Sequence, residues 1–299
     1  MTTSLPAEDR RLRVAILGSG LIGTDLLAKL RRSRHLNCVA VLGRNLASTG
    51  MQRARSLGLM VSDEGIGYIE RHPDCCDLVF DATSAIEHPR HAQVLRRLGK
   101  TAIDLTPARV GVMCIPAVNM AQCLAVDNVN MVTCGGQAAI PIAHALGQTH
   151  AEIEYIEVVS AIAARSAGPA TRRNLDEYLQ TTAEAVQRFS GAARTKAILN
   201  INPAEPCVNM QTTLMARVSR PDIERFRVAL DEIVKTIRAY VPGYDVLVGP
   251  TIENGRIFVM VRVRGLGDHL PPYAGNLDII NCAAIIAAES FAAHARRSS

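Results

Sequence analysis

Apolar positions along the chain fall into two rhythms. Up to about residue 133, short apolar runs at 12–17, 37–42, 77–82 and 101–105 alternate with helical patterns at 24–32, 47–57 and 87–98. Continuous apolar strands separated by helices are what a parallel sheet covered on both faces requires. The spacing therefore predicts an α/β domain with a Rossmann-type, doubly wound parallel sheet. Residues 112–119 lead through a short helical segment to a strand that ends at Cys134. Beyond it, long stretches at 151–164, 207–218, 244–249 and 256–264 mix apolar and polar residues, and the helical patterns are 171–189 and 221–240. Ser219 is the expected N-cap of the second of these, with Asp222 three residues on. This half predicts an α+β domain around an antiparallel or mixed sheet.

The apolar stretch 274–293 is interrupted by Asn276, Asp278, Asn281 and Glu289, which fits a packed terminal helix better than a membrane span. The expected division is a dinucleotide-binding domain of residues 1–133 and 275–299, with the terminal helix returning to it, and an α+β catalytic and dimerisation domain of residues 134–274. Residues 1–10 read as a tail.

The first strand runs straight into Gly18-Ser19-Gly20-Leu21-Ile22-Gly23 and then a helix, the order that dinucleotide binding needs. The first glycine makes the turn, the second admits a pyrophosphate and the third packs helix on strand. Ser19, Thr83, Ser84 and Thr106 fall at the C-terminal ends of strands, where ligands of such sheets sit. After the second strand the chain reads Gly43-Arg44-Asn45, with arginine where an acid often holds a ribose hydroxyl. Arg44 suits a 2′-phosphate, and equally suits stacking on adenine or facing solvent, so NAD and NADP both stay open. The small, basic segment Ser166-Ala167-Gly168-Pro169-Ala170-Thr171-Arg172-Arg173-Asn174 is either a plain loop capped by Thr171 or a cover over a cofactor. Asn276 offers an amide to a carboxamide. His88 and His91 fall on an expected surface helix and read as structural.

Composition narrows the partners. The net charge is only +5 and aromatic residues make up 4%, so neither a basic stripe nor stacking platforms for nucleic acid are visible. Eight cysteines show no C-x-x-C pair and no ligand spacing with histidine, which argues against a zinc site. With no secretory signal in view, reduced thiols and a cytoplasmic location are expected.

One of those thiols stands out. Cys134 lies in Thr133-Cys134-Gly135-Gly136-Gln137, between an apolar strand and a helix start. Helix N–H groups and the dipole there can stabilise a thiolate and lower its pKa, and the glycine N–H groups could hold an oxyanion. The bland alternative is a buried structural cysteine beside a tight turn.

Eight segments together carry a resemblance: GSGLIGTD at 18–25, DATSA at 81–85, DLTPA at 104–108, IPAVN at 115–119, TCGGQA at 133–138, SAGPATRRN at 166–174, NPAEP at 202–206 and YAGNLDI at 273–279. In this order they resemble the acylating acetaldehyde dehydrogenases of meta-cleavage pathways for aromatic compounds, from about residue 12 to 290. The resemblance implies the two-domain plan of glyceraldehyde-3-phosphate dehydrogenase. It also implies conversion of acetaldehyde, or another short-chain aldehyde, and coenzyme A into acyl-CoA with NAD, in aromatic or steroid catabolism. Cys134 would be the acylated nucleophile, and Ser19 to Ile22, Ser166 to Asn174 and Asn276 would contact the nicotinamide cofactor. A 4-hydroxy-2-oxoacid aldolase is the implied partner, within a homodimer or heterotetramer.

Three departures from the family pattern stand out: Arg44 replaces an acid, Ala170 replaces a glycine, and Gln211-Thr212 stands where arginine and aspartate are usual. The aspartate is proposed in the family as a base or orienting group, and Thr212 cannot be a carboxylate base at neutral pH. Two other readings remain. A phosphorylating semialdehyde dehydrogenase of the same plan could use Arg172 and Arg173 on phosphate, and a degenerate, non-catalytic subunit could stabilise an aldolase.

Overall fold

The computed structural model describes residues 11–298, so the expected tail at 1–10 lies outside the described residues. The first half runs β1 (Leu12–Leu17), α1 (Leu21–Leu30), β2 (Leu36–Leu42), α2 (Thr49–Ser56), β3 (Met60–Ser62), α3 (Ile66–Arg71), β4 (Leu78–Asp81), α4 (His88–Arg97), β5 (Thr101–Asp104), β6 (Val112–Met113), α5 (Pro116–Cys123) and β7 (Asn128–Asn130). These strands form one parallel sheet in the order β3-β2-β1-β4-β5-β7-β6. Val14 to Leu17 are at most 1% exposed, so both faces of β1 are covered and the strand has to be apolar throughout. The direction of winding reverses between β1 and β4, which opens a crevice at their C-terminal ends.

The second half runs α6 (Cys134–Thr149), β8 (Ile153–Ala163), α7 (Pro169–Arg173), α8 (Leu175–Ser190), β9 (Thr195–Asn202), β10 (Met210–Val218), α9 (Ile223–Arg238), β11 (Tyr244–Glu253), β12 (Arg256–Val263) and α10 (Gly275–Ser298). Its sheet has the order β11-β12-β10-β8-β9 and is mixed, since β8 and β9 are parallel and the other pairs antiparallel. Alternate residues of β10 are buried beneath α6, which also packs on α8, α9 and α10. The fold class is the one expected.

Several local expectations need correction. The helix foreseen over 171–189 is two helices, broken at Asn174, whose φ of −111° and ψ of 36° are not helical. Asp222 rather than Ser219 caps α9, its side chain accepting from Arg225 N–H at 3.0 Å. Strand β9 was not foreseen: it lies at a sheet edge with every residue partly exposed or exposed, and its residues alternate too weakly to signal a strand. The short β3, α3 and β6 were also missed. Helix α4 is not a surface helix on its histidine side, because His88 and His91 are buried.

Helix α10 is long and apolar enough to cross a membrane by composition, but 61% of that window is buried inside the protein. It packs along α1, and the two are joined by charge. Lys29 of α1, with 2% of its side chain exposed, meets Asp25 at 3.2 Å, Asp278 at 2.6 Å and Asp268 at 2.8 Å. Asn281 of α10 adds bonds to Asp25 at 2.9 Å and to the Ile22 carbonyl at 3.2 Å. Burial disfavours the ammonium, but the bonds to Asp268 and Asp278 prevail and raise the Lys29 pKa above its ordinary value. Burial likewise opposes ionisation of Asp268, and the bond from Lys29 reverses the balance, lowering that pKa.

Removing the cation leaves carboxylates buried without compensation, so Lys29→Ala is expected to lose about 3–5 kcal/mol in urea unfolding at pH 7. The Asp268 contribution should be complete above the ordinary aspartate pKa of about 4 and disappear as pH falls below it. The Lys29 contribution should disappear only as pH rises past the ordinary lysine value of about 10.4. A Lys29→Ala protein within 1 kcal/mol of the parent at pH 7 would contradict this account.

Candidate active site

At the crevice, Gly18 has a φ of +105° and lies so close to β4 that an added Cβ would stand 2.5 Å from the Ala82 carbonyl oxygen. Only glycine allows both. Gly20 has open space where a side chain would project, and it leads into the N-terminus of α1. Together these leave a cleft of about 770 Å³ lined by Gly18, Ser19, Gly20, Leu21, Ile22 and Arg44 on one side. From the second half, Gly168, Pro169, Thr171, Arg173 and Asn174 complete the wall.

Other expected contacts lie elsewhere. Gly23 packs under the loop, where an added Cβ would be 2.0 Å from the Gly18 carbonyl oxygen. Ser166 donates to the Ala163 carbonyl at 2.8 Å, and Arg172 donates to the carbonyls of Ala167 at 3.0 Å and Ala164 at 3.1 Å. Ser166, Ala167 and Arg172 thus shape the loop from within, and the paired anion site of Arg172 and Arg173 is not formed. The side chain of Ala170 lies outside the described residues.

The turn between β7 and α6 is strained. Val132 has a φ of 62°, a conformation that a β-branched residue rarely adopts and that costs on the order of 1–3 kcal/mol. Asn130 holds it there, because its Oδ1 accepts from Val132 N–H at 2.9 Å. Its Nδ2 donates to Asp104 at 2.7 Å and to the Thr106 carbonyl at 2.8 Å.

Asp104 belongs to a buried network at the ends of β4 and β5. Asp81 accepts from His88 Nδ1 at 2.9 Å and His91 Nδ1 at 2.7 Å, and its other oxygen accepts from Thr83. His88 Nε2 lies 3.4 Å from Asp104. Burial pushes Asp104 up to about 7, while the two histidine bonds overcome burial at Asp81 and hold its pKa well below the usual carboxylate range.

Cys134 is the first residue of α6, with Thr133 as N-cap accepting from Gly136 N–H at 2.9 Å. Gly135 N–H donates to Tyr178 Oη at 3.0 Å. The two glycine N–H groups expected to hold an oxyanion therefore have protein partners already. The expected lowering of the thiol pKa is also corrected: burial raises it, and Tyr178 and the Gly135 N–H only offset this in part. Tyr178 Oη lies 3.6 Å from Cys134 Sγ. No motif marked this tyrosine, since the contact joins residues 44 apart through the packing of α8 on α6. Thr212 is buried and bonded to Ser160 Oγ at 3.0 Å, so its hydroxyl is directed to Ser160.

The sulfur lines a chamber of about 60 Å³ that adjoins the glycine-lined cleft and shares Ile22, Thr83 and Leu277 with it, and Thr106 and Asn276 complete its walls. Among the described residues, Thr106 Oγ1 and Asn276 Oδ1 are buried without a hydrogen-bond partner. Asn276 Nδ2 is occupied by the Ser166 carbonyl at 3.3 Å. Unpaired polar atoms in a buried wall mark where a ligand would complete the bonding.

Comparisons with known proteins bear on the family and the fold. The family model for prokaryotic acetaldehyde dehydrogenase, dimerisation, matches residues 134–271. An acetaldehyde dehydrogenase of Spirochaeta aurantia is 59% identical over 96% of this chain and 97% of its own length. Those of Pectobacterium atrosepticum and Geobacillus stearothermophilus are 55% and 47% identical, over 94% and 95% of this chain and 96% and 97% of their own. Among solved structures, aspartate semialdehyde dehydrogenase with NADP from Candida albicans shares the fold at a TM-score of 0.65 and 12% identity, over 94% of this chain and 99% of that one. With identity this high over nearly the full length of several relatives, the chain belongs to the acetaldehyde dehydrogenase family.

Proposed function

We propose that this aldehyde dehydrogenase converts a short-chain aldehyde and coenzyme A into the acyl-CoA through a thioester on Cys134, with a nicotinamide cofactor. The observation that carries the reading is the placement of the Cys134 sulfur at a helix N-terminus, lining a small chamber that adjoins the glycine-lined cleft. The cleft fits a dinucleotide. Gly20 leaves room at the α1 N-terminus for a pyrophosphate, and Asn276 Oδ1 lacks the donor that a carboxamide would supply.

Cys134 Sγ bonds to the carbonyl carbon, and the carbon–oxygen π electrons move to oxygen. Thr106 Oγ1, unpartnered in the chamber wall, is available to donate to that oxygen. Loss of hydride from the same carbon restores the carbonyl as a thioester. Bound beside Asn276, the nicotinamide supplies the hydride acceptor. The coenzyme A thiol, losing its proton to solvent, then attacks the thioester, and Cys134 leaves as thiolate. Coenzyme A is favoured over phosphate because Arg172 is committed to its own loop.

The family's dimerisation segment coincides with the five-stranded sheet, whose outer face carries the half-buried Val159, Met215, Phe258 and Met260. This face supports a homodimer. The aldolase partner, a heterotetramer, a cytoplasmic location and a place in aromatic or steroid catabolism extend the family resemblance.

Incubation with acetaldehyde and nucleotide, without coenzyme A, should add one acyl group to the peptide containing Cys134, and coenzyme A should remove it. Cys134→Ala should acquire none. Absence of an adduct on the parent protein by intact mass would sink the reading.

Arg44 is exposed on the cleft wall and places a cation where a 2′-phosphate would lie. Arg44→Asp is expected to reduce the NADP to NAD ratio of kcat/KM by about tenfold or more, the worth of one charge-assisted bond. An unchanged ratio would return Arg44 to a solvent-facing role.

A further inference from the structure

We propose that Tyr178 is a catalytic residue, its phenolic O–H holding the Cys134 sulfur as thiolate. The inference deepens the acyl-transfer reading and relies on it only for the reaction served. Its basis is geometric. Tyr178 Oη lies 3.6 Å from Cys134 Sγ, a hydrogen-bond distance for the larger sulfur atom, and 3.0 Å from Gly135 N.

A phenol has one proton. Gly135 N–H donates to Oη, so the oxygen acts there as acceptor and its own proton can be given to the sulfur 3.6 Å away. Once Cys134 has released its proton to solvent, the thiolate can only accept, which fixes the direction of the bond. Tyr178 does not act as a base: burial and the adjacent sulfur push its pKa well above the ordinary phenol value, so it stays protonated. It transfers no proton and changes no oxidation state. The same O–H can stabilise sulfur when the thioester is cleaved and Cys134 becomes the leaving group.

The surrounding residues hold Tyr178 in this position. Thr182 Oγ1 donates to the Tyr178 carbonyl at 2.7 Å, which commits its only proton. Thr133 Oγ1, 2.7 Å from Thr182 Oγ1, must therefore donate to it, while accepting from Gly136 N–H. The start of α6 and the first turns of α8 are thus tied by a directed chain of bonds. Gly135 is required for the approach, since a Cβ there would stand 2.3 Å from Tyr178 Oη and 2.8 Å from Ser160 Oγ.

The test is the rate of Cys134 alkylation by iodoacetamide as a function of pH, read by peptide mass because the chain has eight cysteines. Tyr178→Phe should move the inflection to higher pH and slow alkylation at neutral pH by about tenfold, the worth of one hydrogen bond to a charged group. Site-specific 3-fluorotyrosine at 178 keeps the shape but makes the O–H a stronger donor, and should move the inflection to lower pH. An inflection that stays in place or moves the other way overturns the proposal, and if Tyr178→Phe does not fold, the fluorotyrosine protein decides alone. Alkylation needs no aldehyde, nucleotide or coenzyme A. A thiol that responds as expected but gains no acyl adduct would retire the acylation and leave the role of Tyr178 intact, and the reverse pair of results would do the opposite.

Discussion

The side chain of Asn130 is the constraint on which the active-site geometry depends. Its amide satisfies Asp104, the Thr106 carbonyl and the N–H of Val132, and so fixes a β-branched residue at positive φ between β7 and α6. Without that strain the chain could not turn sharply enough to present Cys134 at a helix N-terminus and also bury Val132. The strain of about 1–3 kcal/mol is offset by a hydrogen-bonded network whose members in β4, β5 and β7 lie in adjacent strands. Two carboxyls face one histidine there, and the pair resolves its repulsion by unequal ionisation: Asp81 is held charged by His88 and His91, while burial leaves Asp104 near 7. The carbonyl ends of the sheet are thereby locked under the chamber.

Above this floor, the two halves of the chain meet through helices. Helix α6 starts at the nucleotide-binding sheet and runs into the core of the second half, where α8 lies against it and delivers Tyr178. Helix α10 returns in the other direction, carrying Asn276 to the chamber and closing on α1 through Lys29. A buried cation among three carboxylates is a costly way to join helices, but it is directional in a way that apolar packing is not, and it fixes the register of α10 on α1. That register sets how far Asn276 stands from Ile22 across the chamber.

Much of this was legible in the sequence, and the limits have physical causes. The glycine turn, the parallel sheet and the helix start at Cys134 are local: each is written in consecutive residues whose periodicity and backbone needs leave few alternatives. What escaped is long-range. His88 and His91 look like surface residues on a helix of mixed polarity, and only the position of Asp81 at a strand end shows why they are buried. Arg172 looks like an anion ligand until its guanidinium is seen folded onto its own loop. The glycine N–H groups look free until Thr133 and Tyr178 are placed. The break at Asn174, which separates α7 from α8, carries no proline or glycine to announce it.

The departure at Thr212 takes on a different meaning in this setting. A carboxylate beside a thiol helps as a base but opposes the thiolate once formed, because like charges in a buried site raise each other's pKa. Here the burial of Cys134 already raises its pKa, and a second negative charge would raise it further. The side chains beside the sulfur and Gly135 are instead neutral: Tyr178, Ser160 and, through Ser160, Thr212. In the proposed reaction such surroundings leave the thiol to ionise before the aldehyde arrives, with the proton lost to solvent. They do not suit proton removal in the course of attack. Thr212 then belongs to a neutral arrangement: it is bonded to Ser160, and the hydroxyl beside the sulfur is that of Tyr178.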